Sequence, residues 1–325
     1  MLFPAVKEGK YCFINQEGDL IIPPRFGWAS YFNEDLARVT QDRLFGYINA
    51  SGQFVVAPRF ERARDFSDGL APVMGPQQVW GYINRQGDMV IRGSYIFADV
   101  FSEGLACVSP FGKEYGFINT AGEMVIHPIF DVATRFSMGL AAVEHKGKCG
   151  YITPTMEFPI KLWFEDAKPF SEGLAAVKME GKWGFIDTAG EMAIEPEFTF
   201  AKSFCGGYAG VVIDGKWGFT DRYSNILIEP QFENVDGFSE GLAGFEENRK
   251  WGYISKSGNT VIEPIYTAAL PFYGGVGRVS KDNRHGYIDN KGWYIWELSE
   301  VNVEHRIPTD WEIVYGHNWL WKYDK

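Results

Sequence analysis

Three glutamates, Glu195, Glu229 and Glu263, stand 34 residues apart, each just before a proline. Carboxylates in pairs are what glycoside hydrolysis needs, one as acid and one as nucleophile or base. The row is broken elsewhere, because Ala57, Arg92, His127 and Lys161 hold the same place. A solvated strand-end residue, copied with its repeat, accounts for it better. The four cysteines, Cys12, Cys107, Cys149 and Cys205, include no Cys-x-x-Cys pair. Zinc and disulfide frameworks need close, paired spacing. The cysteines read as single buried thiols, which pack as small hydrophobes. The five histidines are scattered and form no His-Glu-x-x-His motif. No phosphate-binding glycine loop opens a helix, and no Gly-x-Ser-x-Gly elbow is present. Neither a catalytic residue nor a metal or cofactor site is expected.

What the chain does carry is a period. A glycine following an aromatic recurs at Gly46, Gly81, Gly116, Gly150, Gly184, Gly218, Gly252 and Gly286, with Cys12 in its place in a first copy. The spacing is 34 or 35 residues throughout. A fixed period of this size means a repeat architecture, and it overrides the two-domain expectation from 325 residues. A second phrase keeps the same beat: FSDGLAPV from Phe66, FSEGLACV from Phe101, FSMGLAAV from Phe136, FSEGLAAV from Phe170 and FSEGLAGF from Phe238. Weaker copies begin at Phe32, Phe204 and Phe272.

Each unit parses into three strands. In residues 170–204 an apolar run from Leu174 reads as a strand, Glu180-Gly181-Lys182 as a tight turn and Trp183–Asp187 as a second strand. Gly190 closes a second turn, and a third strand runs from Glu191 until Pro196 stops it. The second turn begins with Asn, Asp, Thr or Ser in all nine units, residues that hydrogen-bond their own backbone there. A glycine three residues on suits a left-handed closing position, with Met156 and Ser224 as exceptions. Aromatics then recur with Ala at +3 and Phe at +6, as in Phe198, Ala201 and Phe204. That spacing suggests a short helical turn across the strands. One unit cannot bury these rings alone, so stacked neighbours must share a core.

The phrases Lys182-Trp183-Gly184, Lys216-Trp217-Gly218, Lys250-Trp251-Gly252 and FSEGLAAV resemble the bacterial WG-repeat family. The resemblance covers about nine-tenths of the chain. Tyr11, Phe45, Tyr115, Cys149 and His285 depart from the Trp position. It implies an interaction module and carries over no catalytic residue.

The expected fold is all-β: nine three-stranded antiparallel meanders over 1–297, stacked as an open superhelix. A closed propeller-like ring is the alternative. Neither end offers an obvious strand for the other, and nine units are many for a ring. Residues 298–325 lose the period and concentrate aromatics, among them Trp311, Tyr315, Trp319 and Trp321. They read as a cap on the last unit or as a partner-binding patch. With no basic-then-apolar leader and no apolar run of membrane length, a cytoplasmic protein is expected. A formal net charge of -11 argues against nucleic-acid or anionic-membrane partners. The acidity either keeps a β-rich surface soluble or meets a basic partner. The expected function is therefore a non-enzymatic protein-binding scaffold, an immunity or inhibitor protein against a toxin enzyme being one case. Recognition is expected on the variable turns before the Trp position, such as 41–44, 75–79 and 111–114. A glycan-binding module is the alternative. It would need solvent-facing Trp rings, whereas their strand context suggests burial.

Overall fold

A computed structural model describes residues 1–300 of the chain. The aromatic tail positions Trp311, Tyr315, Trp319 and Trp321, and most of the expected cap, lie outside the described residues. The chain divides into two compact units. Among the described residues, the first comprises Met1–Phe136, Pro154–Met156 and Glu300, and the second comprises Ser137–Thr153 and Glu157–Ser299.

The first unit opens with a three-stranded antiparallel sheet, Phe3–Lys7, Lys10–Ile14 and Leu20–Phe26. Four-stranded sheets follow, the first made of Trp28–Asn33, Leu36–Gln41, Leu44–Ile48 and Phe54–Phe60. The second unit repeats the four-stranded pattern, for example Asp166–Ala167, Leu174–Met179, Lys182–Asp187 and Met192–Phe198. Strands lie side by side in chain order, and the neighbours in this last sheet are all antiparallel.

Three expectations are corrected here. The aromatic–Ala–Phe stretch is not helical. It contributes a two-residue strand, such as Phe200–Ala201, which pairs through Ala201 with Val211 in the following sheet. The unit is therefore four-stranded rather than three-stranded. Nor does Pro196 end its strand, which runs from Met192 to Phe198. The fourth strand is a sheet edge, and an edge can hold a residue that donates no hydrogen bond. Finally, the open superhelix gives way to the alternative: the sheets are propeller blades. The physical reason is the connection. One residue, Thr199, carries the chain from the outer edge of one four-stranded sheet to the first strand of the next.

The turns behave as their sequence requires. Asn49 Oδ1 accepts from Ser51 N at 3.1 Å and Gln53 N at 3.0 Å. Met156 and Ser224, which replace the closing glycine, adopt φ of 65° and 62° all the same. The core lies between consecutive sheets. Phe66, Phe101 and Phe136 in the first unit are buried, as are Phe170, Phe204, Phe238 and Phe272 in the second. The glycine after the aromatic is explained by packing. The fourth strand bulges over it, with register shifts between Trp183, Phe185 and Ile186. A Cβ added at Gly184 would meet Ile194 O at 2.5 Å and Pro196 N at 2.8 Å. The first sheet holds Cys12 at this place, its Sγ donating to Ala5 O at 3.4 Å.

Gly184→Ala should destabilise the chain by about 1–3 kcal/mol, because the clash is with backbone that must move. Met156→Gly should stabilise it by about 1 kcal/mol by removing a side chain from a left-handed position. Urea denaturation followed by Trp fluorescence reads both.

Candidate interaction surface

Each sheet has two turn edges. The turn between first and second strands and the turn between third and fourth strands share one edge, because Leu174 pairs with Asp187. The Phe-Ser-Glu-Gly phrase forms the first of these turns, and both its polar side chains reach the next sheet. Ser102 Oγ donates to Phe136 O at 2.8 Å within the first unit. Ser137, Ser171 and Ser239 donate to Phe170, Phe204 and Phe272 at 2.9, 2.7 and 2.6 Å in the second. The acid accepts from the next turn's N–H groups. Asp68 takes Gly104 N at 2.8 Å, Glu172 takes Gly206 N and Gly207 N at 2.8 and 2.9 Å, and Glu240 takes Gly274 N and Gly275 N at 2.7 and 2.8 Å.

This edge is acidic in both units. In the first its turns carry Glu17, Asp19, Glu34, Asp35, Asp65, Asp68, Asp88, Asp99, Glu103 and Glu123 against three cations, Arg64, Arg85 and Arg135. Arg85 itself is spent on Glu34 O at 2.6 Å and Asp35 at 3.5 Å. In the second unit Glu157, Glu172, Asp187, Glu191, Asp221, Glu240 and Asp289 face Arg222, Lys256 and Lys291. Arg222 and Lys256 reach back to the Glu172 and Gly206 carbonyls. Tyr223 and Trp293 stand out from the same edge, 77% and 73% exposed. The opposite edge, made by the turns between second and third strands, interleaves Lys and Arg with its acids.

Between the sheets sits a second set of charges. In the second unit the Lys168 ammonium lies 5.1 Å from the Trp183 ring and 4.4 Å from the Phe200 ring, and donates to Ala201 O at 2.7 Å. Lys202 lies 4.9 Å from Trp217. In the first unit Arg64 lies 5.5 Å from Trp80 and 5.4 Å from Phe97. The aromatic before the repeat glycine thus forms one wall of a buried cation cage. Asp99, with no exposed side-chain surface, accepts from Arg135 Nε and Nη2 at 2.7 Å each. Burial pushes its pKa up, but the bonds and charge of Arg135 prevail and hold it below the ordinary carboxylate value.

The repeat that builds these edges matches the family model of the WG containing repeat over residues 11–44, 45–74, 80–109, 115–149, 150–183, 183–217, 217–251 and 251–284. The chain belongs to the WG-repeat family. None of the curated proteins compared with it matches in sequence. Among solved structures it is similar to one described as the crystal structure of the eukaryotic initiation factor, at TM-score 0.64 and 14% identity. That match covers 91% of this chain and 95% of the other. The likeness shows the fold, a β-propeller, and overturns the open superhelix. BamB from Moraxella catarrhalis (TM-score 0.45, 10% identity, 82% and 94% covered) and Hsv2p of Kluyveromyces lactis (0.44, 11%, 85% and 99%) lie further off.

The WG repeat does not expose its namesake ring as a platform. Trp183 is 1% exposed, and Trp217 and Trp251 are half-buried. Stacking on sugar faces would need them in solvent. Glu195, Glu229 and Glu263 are exposed on fourth strands, the solvated positions the sequence suggests. Cys12, Cys107 and Cys149 are buried, whereas Cys205 is exposed, in the Ser position of the Phe-Ser-Glu-Gly turn. Among the described residues no three His, Cys, Asp or Glu side chains converge as a metal ion requires. The variable turns sit together on the edge opposite the acidic one, where Phe111 is 85% exposed. Sequence reasoning missed the hooks and the cation cages. Their signal was the recurring Ser-acid pair at 67–68, 102–103, 171–172 and 239–240 and the Arg or Lys one residue after the repeated Ala at Ala63, Ala167 and Ala201.

Lys168 gives the WG-repeat core a pH signature. Burial, then the Lys202 charge, push its pKa from 10.5 down to about 7, against a smaller opposing effect of Asp166. The unfolded lysine holds a proton that the folded one has released between those values, so this group makes stability rise with pH there. Urea midpoints measured from about pH 6.5 to 9.5 should climb more steeply in the native chain than in Lys168→Met.

Proposed function

We propose that this WG-repeat propeller is a non-enzymatic, cytoplasmic protein-binding scaffold whose acidic turn edge receives a basic partner. The fitting special case is an immunity or inhibitor protein that holds a basic toxin enzyme. The observation that carries the reading is the segregation of charge. In the first unit ten acidic side chains stand on one turn edge against three cations, Arg64, Arg85 and Arg135, each already paired with an aspartate. Two of those carboxylates, Glu34 and Asp68, are pinned by backbone N–H groups, so they offer a fixed field rather than a mobile one. A fixed field of one sign steers a partner of the other and sets its register. Exposed Tyr223 and Trp293 on the same edge of the second unit add the residue types that dominate interface energetics. Nucleic acid and membrane surfaces are anionic and would be repelled by this edge.

The test is capture of the tagged chain's partner from lysate of its native cells, followed by salt-dependent binding kinetics. A basic protein retained at stoichiometric level is the expected result. Asp35→Asn, Asp88→Asn and Glu123→Gln together should slow its association about tenfold at low salt and much less at high salt. Association rates indifferent to both salt and these substitutions would overturn the acidic-edge reading. Recovery of the chain alone would count against a stable protein partner.

A further inference from the structure

The opposite turn edge of the first unit holds one feature that the repeat does not explain. A polar cavity of about 300 Å³ is lined by Lys10, Arg25, Gly27, Gln41, Asp42 and Arg43. Three cations and one carboxylate surround it, in a chain whose net charge is -11.

Comparison with the same place in other sheets shows what is missing. The residue after the fourth strand is Glu165 in one sheet of the second unit and Glu233 in another. Glu165 accepts from Gly181 N with both oxygens at 3.2 Å. Glu233 accepts from Arg249 N at 3.2 Å. Gly181 and Arg249 each lie two residues before the WG aromatic, at the end of the hairpin turn. In the first unit Glu61 bonds the Gln78 side chain at the corresponding turn. In the sheet that lines the cavity the corresponding pair is Gly27 and Arg43. Where these sheets bring a carboxylate, and others bring Ile96, Thr199 or Thr267, this one has no side chain at all.

The surrounding groups are those that would receive such an anion. Arg43 sits at φ 65°, in a position that Gly147, Gly181 and Gly215 fill in some sheets and Gln78, Arg249 and Asn283 in others at φ 58°, 59° and 61°. Arg25 is fixed rather than waving, its guanidinium donating to Gly52 O and lying 4.8 Å from the Phe26 ring. Lys10 enters from the first sheet. The volume is at the small end of ligand pockets.

We propose that this cavity binds a small multivalent oxyanion of the phosphate type, in the place that the carboxylates of Glu61, Glu165 and Glu233 hold in their sheets. Three cations favour a divalent oxyanion over a single carboxylate, and guanidinium groups match its geometry. The anion is either free phosphate or a phosphoryl group on a small ligand. The cavity opens on the edge opposite the acidic one, so its occupancy and the basic-partner reading succeed or fail separately.

Calorimetric titration of the full chain at low ionic strength tests this, with inorganic phosphate and O-phosphoserine as probes. Binding with a dissociation constant on the order of 1 mM or tighter is expected. Tighter binding of phosphoserine would identify a phosphoryl-bearing ligand, and equal or weaker binding the free ion. Gly27→Glu, which installs the internal carboxylate, and Arg43→Gly, which installs the residue some other turns carry, should each weaken binding at least about tenfold. Both keep residues the repeat already accepts, and an unchanged or raised Tm verifies folding. No heat with either probe up to about 10 mM would overturn the site, as would affinity untouched by both substitutions.

Discussion

The structure depends on one ring-on-ring contact made again and again between consecutive sheets. The aromatic that follows the repeat glycine packs on the Phe of the next Phe-Ser-Glu-Gly turn, 19 residues later. Tyr47–Phe66, Tyr82–Phe101 and Phe117–Phe136 have centroids 4.8, 5.0 and 4.9 Å apart in the first unit. Tyr151–Phe170, Phe185–Phe204, Phe219–Phe238 and Tyr253–Phe272 lie at 4.8, 4.9, 4.9 and 4.8 Å in the second. Each pair contributes about 0.5–1.5 kcal/mol beyond the area it buries. The closest ring contact of each pair is thus made across the boundary between two sheets, which ties the stability of one sheet to its neighbour.

The polar groups take their places around that contact. Where the first ring is a Tyr, its hydroxyl donates to the residue that follows the next sheet's first strand: Tyr47 to Arg64 O at 2.7 Å, Tyr82 to Asp99 O at 2.8 Å, Tyr151 to Lys168 O at 2.7 Å. The Ser and acid of the turn then hook the following turn. Burying Lys168, Arg64 and Asp99 between sheets is expensive, and only close partners offset it. Aromatic walls, backbone carbonyls and the Arg135–Asp99 pair are those partners. The result is a frame in which charge is either locked inside or displayed on a turn edge, with acids in excess on one of the two edges.

Much of this was legible in the sequence, because its signals are local or periodic. The turn that begins at Asn49 needs nothing beyond four residues of chain, and it forms as its composition demands. Phe204 and Phe238 were recognisable as core from their recurrence alone. The fourth strand was not legible. Phe200–Ala201 is too short to show an alternating pattern, and its partner Val211 belongs to the following repeat. Spacing of three between an aromatic and an alanine fits a helical turn equally well. The cavity at Gly27 was hidden for a related reason. A glycine after an aromatic is unremarkable until Glu165 and Glu233 are seen holding a turn in the same place.

By itself the sequence determined the unit, its length, its turns, its rings and its membership of the WG-repeat family, since all of these recur within a single period. The tertiary structure alone decided that the units close as four-stranded propeller blades. That outcome rests on one connecting residue handing each edge strand to the next sheet, and on hydrogen bonds made between repeats. It alone also decided which acids share an edge, because residues from two turns meet only when the second and third strands pair in register. Periodicity reveals what each unit contains. Where the contents of neighbouring units come together is set by packing, and packing leaves no trace within one repeat.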